Sequence, residues 1–229
     1  MSNLPTYQTS IPETATPKVI EGVPNFVSGQ TEYYIEDRLV GTRCFDEDGS
    51  CDMEISYRNG VMHGWYYTFH TPTQLMSAEP WESGLVHGTA YQWDRQGNLI
   101  GQYTMEHGTG LDLWWHENFE TEGHHLSEAY HYQNGLRHGY EWSFSEGGLH
   151  REVPWFEGKQ HGVERHWNFN GRLRRGYTQY WLGGVQVKRP EYLRAAKTDS
   201  TLPPFRAENN LPIRELPPEI QKHLPPRDA

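Results

Sequence analysis

The feature that most constrains what this chain can fold into is a motif that recurs along it. Four segments follow the pattern [YW]-x-x-G-x-x-H-G-x-x-x-x-[WF] without a gap. They begin at Tyr57, Trp81, Tyr132 and Trp155. A fifth segment, from Tyr103, has Glu106 and Thr109 where the first glycine and the histidine are expected. A unit this short cannot bury a core alone, so such units fold by packing against their neighbours.

The spacing of the repeats is regular apart from one insertion. Successive second glycines, from Gly64 to Gly162, are 24, 22, 29 and 23 residues apart. The longest interval contains the polar stretch 116–131, which we expect to form a protruding loop. Degenerate copies flank the array at 34–45 and 180–187. The predicted repeat domain therefore runs from residue 31 to residue 188.

Side chains that follow each histidine–glycine pair alternate in character, which is the period of a half-buried strand. Aromatic and β-branched residues suit such a pleated surface. Asn-Gly, Ser-Gly and Glu-Gly pairs between the strands supply the positive φ angles of tight hairpin turns. The sequence therefore predicts an all-β protein, an elongated and twisted antiparallel sheet of tandem β-hairpin repeats. The residues assigned to structural repeat turns are Gly60, His63, Gly64, Gly84, His87, Gly88, Gly110, Gly135, His138, Gly139, Gly158, His161 and Gly162.

One face of the predicted strands carries a stripe of mainly aromatic residues. The members proposed as a binding surface are Trp65, Tyr67, Tyr91, Trp93, Trp115, Trp142, Phe144, Arg165 and Trp167. Packing between neighbouring hairpins requires such a row, and stacking on sugar rings or on a peptide would use the same rings. Both interpretations stay open at the level of the sequence.

The repeat resembles that of the MORN family (membrane occupation and recognition nexus), whose unit has an aromatic residue, an N-G pair, an H-G pair, an aromatic strand and a D-G-like turn. The resemblance covers residues 33–187 and is closest to divergent bacterial members, several of which are antitoxin or immunity proteins. It implies a sheet of hairpins that binds another protein. Bulky residues such as Tyr66 and Glu141 replace the glycine two places after H-G in the eukaryotic pattern, which argues against transferring lipid binding.

The composition changes after the array. Residues 189–229 contain eight prolines, with seven basic and six acidic residues. Short helices are predicted at 191–197 and 219–224, each beginning near a proline. A single-layer sheet leaves its apolar face open unless something covers it. We expect this tail to pack on or cap the repeats, with a homodimer or another protein as the alternative cover, and we expect residues 1–30 to form an extended segment.

Charge and composition exclude several classes of function. With 20 Lys and Arg against 30 Asp and Glu, the net charge is −10, which repels phosphate backbones and makes nucleic acid an unsuitable partner. No run approaches the roughly 20 apolar residues of a spanning helix, and the first thirty residues lack a secretory signal pattern. We expect a cytoplasmic protein without integral membrane association. Cys44 and Cys51 are expected to be reduced, with a local disulfide as the alternative.

Thirteen histidines raise the question of a metal site. Repeat histidines should lie two strand spacings apart, roughly 10 Å, whereas zinc needs nitrogen ligands about 2 Å from one ion. We therefore expect each to hydrogen-bond a turn backbone, and we assign no metal and no cofactor. The stronger metal candidates, against the plainer interpretation of a polar loop, are in the insertion: His116, His124, His125 and His131. The acidic stretch 46–54 lacks the glycine position and helices of a calcium loop, which favours a solvated hairpin turn.

Common enzyme motifs are absent from the sequence, including G-x-S-x-G, H-E-x-x-H, the P-loop and G-x-G-x-x-G. The leading expectation is a non-enzymatic protein–protein interaction module without catalytic residues. By resemblance, its partner is a toxin that it neutralises, and an acidic surface would speed the capture of a basic protein. The alternatives are binding of a glycan or other small ligand through the aromatic face, and a hydrolase with dispersed site residues.

Overall fold

The computed structural model describes residues 4–20, 29–118, 123–145, 148–211 and 216–224. In this part of the chain lie seventeen strands, two short α-helices and two 3-10 helices, so the predicted all-β class is confirmed. The chain divides into two compact units, Met1–Gly108 and Thr109–Ala229, which we call unit 1 and unit 2. No helix in the described ranges is long and apolar enough to cross a membrane.

Unit 1 is an antiparallel meander of nine strands. They are β1 (Thr16–Ile20), β2 (Gly29–Ile35), β3 (Arg38–Phe45), β4 (Cys51–Arg58), β5 (Val61–Thr71), β6 (Gln74–Glu82), β7 (Leu85–Val86), β8 (Gly88–Trp93) and β9 (Leu99–Glu106). Each strand pairs with the next along the chain, except that β7 and β8 share β6 as their partner. The hairpin order predicted from the repeats is therefore present in this unit.

Unit 2 repeats the same architecture and adds helices at its end. Its strands are β10 (Thr109–Asn118), β11 (Gly123–Gln133), β12 (Leu136–Ser145), β13 (Gly148–Phe156), β14 (Lys159–Gln160), β15 (Gly162–His166), β16 (Gln179–Leu182) and β17 (Val185–Val187). They also pair antiparallel in chain order, with β14 and β15 sharing β13. The helices are the 3-10 segments Arg175–Tyr177 and Ala207–Asn210, α1 (Arg189–Ala195) and α2 (Pro218–Gln221). Each α-helix has a proline in its first turn, as predicted.

Tight turns with positive φ at both central residues close several of the hairpins. Asn59 and Gly60 have φ of 54° and 80°, the combination of a type I′ turn, whose twist matches that of the flanking strands. The degenerate first copy achieves the same with Glu36 and Asp37, at 48° and 63°, because Asp tolerates the left-handed region better than most residues. Of the residues assigned to repeat turns, Gly60, Gly84, Gly135 and Gly158 lie in such turns, whereas Gly64, Gly110 and Gly139 lie within strands.

The expectation of a protruding loop at the insertion was wrong. Strands β10 and β11 continue into it and pair as far as Asn118 and Gly123, while residues 119–122 lie outside the described part. Leu126 and Ala129 are buried, and the register shift opposite them leaves Ser127 as an extra, bulged residue. The bulge breaks the alternation of apolar residues, so the sequence hides a strand there.

The predicted solvated hairpin turn at the acidic stretch is confirmed, since residues 46–49 form an exposed turn. Cys44 and Cys51 are both free, because Cys44 lies opposite Met53 in the register and Cys51 lies opposite Phe45. Burial raises the pKa of each thiol. The turn between them is closed by backbone hydrogen bonds, among them one from Gly49 N–H to the carbonyl of Asp46 at 2.9 Å.

Candidate interaction surfaces

The repeat histidines hold the turns of neighbouring hairpins in place. In three repeats the imidazole Nδ1 accepts a hydrogen bond from the backbone N–H of the first turn residue of the next hairpin. The pairs are His63 with Ser83 at 3.4 Å, His87 with His107 at 3.2 Å and His161 with Gly183 at 3.0 Å. Thr109, which replaces the histidine in the fifth copy, accepts through Oγ1 from the Asn134 N–H at 2.9 Å. The expected hydrogen bond to a turn backbone is confirmed at these positions.

The proposed aromatic binding surface lies largely inside the two units. Seven of its nine residues are buried, namely Tyr67, Trp93, Trp115, Trp142, Phe144, Arg165 and Trp167. Trp65 and Tyr91 are half-buried and pack against the core cluster that Tyr67 and Trp93 help to form. Burial raises the pKa of Tyr67 to about 12. Stacking on a glycan requires exposed ring faces, so these residues are placed for packing instead.

In unit 1 the cover over this stripe is the segment just before β1. The ring of Tyr7 packs edge-on against the rings of Tyr67 and Phe69, with centroids 5.2 and 5.1 Å away. The Tyr67 hydroxyl donates a hydrogen bond to the carbonyl oxygen of Gln8 at 3.3 Å. Ile11 is 6% exposed. Residues 7–11, which we call the N-terminal cover, therefore pack over Tyr67 and Phe69 on this face, a role that the sequence did not reveal.

A buried carboxylate fixes the N-terminal cover to the sheet. Glu54 in β4 is fully buried and accepts hydrogen bonds from the Tyr7 hydroxyl at 2.9 Å and the Thr9 hydroxyl at 2.8 Å. It also pairs with Arg43 Nε on β3 at 2.8 Å. A buried charge needs such partners because its desolvation is costly. Glu54 therefore serves as a structural anchor in unit 1.

In unit 2 the C-terminal tail covers the corresponding face, as expected. Tyr192 of α1 and Leu202 are buried in one cluster with Val163 of β15. Trp167 Nε1 donates to the carbonyl oxygen of Asn210 at 2.9 Å. Farther along the tail, His223 meets the Trp115 ring edge-on with centroids 5.1 Å apart. The apolar face of unit 2 is thus also filled by the chain's own residues.

The other face of unit 2 carries a network of paired charges. Glu141 accepts from Arg137 Nη1 and Arg151 Nη1, both at 2.7 Å, and Arg151 Nε also reaches Glu164 at 2.9 Å. Each carboxylate also accepts a hydrogen bond from an indole N–H. Trp155 donates to Glu141 and Trp181 donates to Glu164, each at 3.1 Å. These acids are satisfied internally, so they offer little free charge to a partner.

A related arrangement occurs in unit 1 without an arginine. Glu79 accepts hydrogen bonds from Trp81 Nε1 at 2.7 Å and from the Tyr103 hydroxyl. Burial raises the pKa of this carboxyl, while the two hydrogen bonds act in the opposite direction. Trp81, Trp155 and Trp181 occupy equivalent positions, since each lies opposite the second glycine of the preceding repeat, which moves the start of the last copy from residue 180 to Trp181. That position therefore supplies a donor for a neighbouring carboxylate.

The negative charge of the protein is concentrated in unit 1. Residues 1–108 contain 14 Asp and Glu but 5 Lys and Arg, a net charge of −9, whereas residues 109–229 contain 16 and 15, a net charge of −1. The tip of the β3–β4 hairpin is the densest exposed acidic stretch in the described part of unit 1, with Asp46, Glu47 and Asp48 all exposed. A surface of this kind attracts basic groups.

The histidines of the insertion do not converge on one point. His116 lies opposite His125 in the register, with ring centroids 5.9 Å apart. His124 is paired with Glu117 and His131 with Leu111, several residues farther along the ladder. Neighbouring residues of a strand point to opposite faces, so His124 and His125 diverge. The four side chains proposed as a metal candidate are not brought together.

Three other side chains do come close, at the turn end of unit 1. Ligand atoms of Glu82, His87 and His107 lie within 4.8 Å of one another. His87 Nδ1 accepts the His107 N–H, which puts the ring proton of neutral His87 on Nε2, the atom 3.6 Å from the Glu82 carboxylate. A metal ion at Nε2 would require that proton to leave or the Nδ1 hydrogen bond to break. These contacts hold two neighbouring hairpins together.

Comparison with models of protein families finds no match, and comparison with curated proteins finds none either. What the chain does must therefore be argued from its own surfaces. The N-terminal cover was missed because its contacts are made mainly by three residues, Tyr7, Thr9 and Ile11. Their spacing of two residues indicates an extended chain, but so short a pattern does not predict what the chain packs against.

Proposed function

We propose that this protein is a non-enzymatic protein-binding module whose unit 1 captures a basic protein partner. The observation that carries the proposal is the uneven charge, −9 in unit 1 against −1 in unit 2. A folded unit gains no stability from so many like charges, because they repel one another. Concentrated charge of one sign is a common means of steering an oppositely charged partner and raising its association rate.

The hairpin tip of β3–β4 is the proposed centre of the contact. Asp46, Glu47 and Asp48 project from a short turn and are exposed. In unit 2, by contrast, Glu141 and Glu164 are already neutralised by Arg137 and Arg151. The exposed carboxylates at this tip are therefore better suited to a Lys- or Arg-rich surface than those of the paired network.

The more specific form of the proposal is that the partner is a toxin and that binding neutralises it. It is supported by the resemblance of the repeats at residues 33–187 to MORN-type antitoxin and immunity proteins. Many toxins that act on nucleic acids carry positive charge, which fits an acidic capturing surface. Neutralisation would then consist of covering the toxin's basic substrate-binding surface.

The test is affinity capture from the native source, followed by binding measurements with the partner recovered. We expect a basic protein whose affinity falls as salt rises, because exposed charges are screened at short distance. The variant Asp46→Asn/Glu47→Gln/Asp48→Asn should bind at least tenfold more weakly and should show a flatter salt dependence. For the toxin form, co-expression with this chain should restore growth that the partner alone inhibits.

A matched control neutralises the same number of acidic residues in unit 2. The variant Glu157→Gln/Glu191→Gln/Glu219→Gln removes three exposed acids there and should bind within about twofold of the wild type, since these acids are not part of the proposed contact and single exposed charges contribute little. Failure to recover any basic protein, or equal loss in the two triple variants, would contradict the proposal.

A further inference from the structure

Unit 1 contains a cavity at the turn end of its first repeats. Its volume is about 470 Å³, and it is bounded by the chain before β1, the β2–β3 turn and the β4–β5 turn. Pockets of several hundred Å³ are the size that small organic ligands occupy. The cavity lies apart from the acidic tip at Asp46–Asp48, which is at the opposite end of β3 and β4.

The cavity exists where the repeat pattern lacks its histidine. Val40 precedes Gly41 in the position that His63 and His87 hold before their glycines. In later repeats that side chain accepts the first N–H of the next turn. Valine has no acceptor, and in the described part of the chain the N–H of Asn59, the corresponding turn residue, has no hydrogen-bond partner. Val40 and Asn59 both line the cavity.

Positive charge gathers at the same place. Arg38 and Arg58 line the cavity, and the register puts them on adjacent strand ends, since Gly41 lies opposite Ser56. Within the described residues neither guanidinium has an ion-pair partner. They are two of the five basic residues in a unit with a net charge of −9. Glu36 is the one acid in the lining.

The remaining lining supplies further donors and an apolar wall. His63 accepts at Nδ1, so its neutral ring carries the proton on Nε2 as a donor. Ser10 and Ser56 add hydroxyl groups, and the apolar lining residues are Pro12, Ile35, Leu39 and Val40 with the ring of Tyr57. Arginine forks and backbone N–H groups are the donors that carboxylates and phosphates prefer.

We propose that this cavity binds a small organic anion, with its carboxylate or phosphate group on Arg38, Arg58 and the Asn59 N–H and its apolar body against Tyr57 and Leu39. The site does not depend on capture of a basic protein. A ligand there would occupy the volume that an imidazole fills at the later repeats. It would also supply the missing acceptor for the Asn59 turn.

Binding is tested by titrating the full-length protein with phenyl phosphate, benzoate and inorganic phosphate while following backbone amide NMR signals. We expect the first two to shift the signals of Asn59 and its neighbours, and inorganic phosphate to bind more weakly because it lacks an apolar body. The tighter of phenyl phosphate and benzoate identifies the preferred oxyanion. Benzylamine, a cation of similar shape, should leave these signals unmoved.

Two variants separate the proposed contacts. Arg38→Gln/Arg58→Gln should weaken anion binding at least tenfold, whereas Lys18→Gln/Arg95→Gln removes the same charge from unit 1 outside the cavity and should bind like the wild type. Val40→His keeps both arginines, restores the acceptor of the later repeats and should also abolish binding. Absence of any shift at millimolar anion, equal response to benzylamine, or wild-type binding by the arginine variant would overturn the proposal.

Discussion

At the scale of single residues, the repeat histidine shows how far a sequence pattern can be interpreted. Its recurrence before glycine and the spacing of strands were enough to predict a hydrogen bond to a turn and to argue against a shared metal. The identity of the donor could not be predicted, because it belongs to the following hairpin, 20 to 22 residues away. Thr109 serves the same function with a shorter side chain, a substitution that the pattern alone marks as a defect.

The hydrogen bonds between the repeat histidines and the next turn should contribute more to stability where the histidine is more buried. His161 is 7% exposed and bonds both Gly183 N–H and Thr201 Oγ1, each at 3.0 Å. His161→Ala should lower the free energy of unfolding by about 1–3 kcal/mol, the range for two hydrogen bonds. His63→Ala, which removes one longer bond at a half-buried site, should cost less than about 1 kcal/mol. Urea unfolding measures both, and a larger loss at His63 would contradict this ranking.

The buried pair in unit 2 gives a second prediction. Glu152 and Arg165 are both almost completely buried and lie 3.4 Å apart, and Glu152 also accepts Trp142 Nε1 at 3.0 Å. Arg165→Met should destabilise the protein by about 3–5 kcal/mol, because it leaves a carboxylate without its cation in the core. Adding Glu152→Gln to that variant should recover part of the loss. Strictly additive losses in urea unfolding would show that the two groups are not coupled.

The pH dependence of stability should depend on two half-buried histidines, His131 and His223. Burial lowers the pKa of His131 and His223 below the ordinary value, so the unfolded chain takes up protons before the folded one does. The free energy of unfolding should therefore fall as pH decreases from about 7 through the lowered pKa values. His223 Nε2 is buried without a hydrogen-bond partner among the described residues.

Replacing the imidazole of His223 measures its contribution to the pH dependence of stability. His223→Phe keeps a ring against Trp115 and should flatten the decline in stability between about pH 7 and pH 5.5, the region in which the unfolded chain's histidine takes up its proton. His124→Phe changes an exposed histidine and serves as the matched control. The explanation fails if the two variants lose stability with acid equally steeply.

At the scale of elements, strands and turns could be predicted because they repeat, and the covers could not because they do not. The tail was expected to pack on the repeats from its prolines and the open face, and α1 indeed buries Tyr192. The N-terminal cover was overlooked since Tyr7 and Ile11 contact residues 30 to 62 positions away. The polar histidines of β11 hid a strand whose bulge at Ser127 interrupts the apolar alternation.

Weakening the contacts of the N-terminal cover should destabilise unit 1 and expose the apolar face beneath it. Tyr7→Ala loses two ring contacts and a hydrogen bond to Glu54, and should cost about 1–3 kcal/mol in free energy of unfolding. Tyr7→Phe keeps the rings and should cost about 0.5–1.5 kcal/mol. Tyr177→Ala, at an exposed tyrosine in unit 2, is the control. Binding of a hydrophobic dye should rise for Tyr7→Ala, and no rise would argue against an apolar face beneath the cover.

At the scale of the whole molecule, the total charge of −10 conceals two units of different character. Self-repulsion weakens a compact state, and salt relieves it. Raising sodium chloride should therefore slow amide hydrogen exchange in β3–β5 of unit 1 more than in β11–β13 of unit 2. Equal slowing in the two units would mean that the acids of unit 1 are too far apart to repel.

The hydrogen bonds between repeat histidines and turns also have a consequence for how such a protein can lengthen during evolution. In the repeats of His63, His87 and His161 the histidine is the acceptor, and the turn of the next hairpin supplies the N–H. A duplicated gene segment that encodes one such hairpin would thus already supply both the histidine acceptor and the turn N–H that join it to its neighbours. Where the acceptor is lost, as at Val40, the turn N–H lies beside a cavity instead of an imidazole, so the divergence of one copy can create a new pocket.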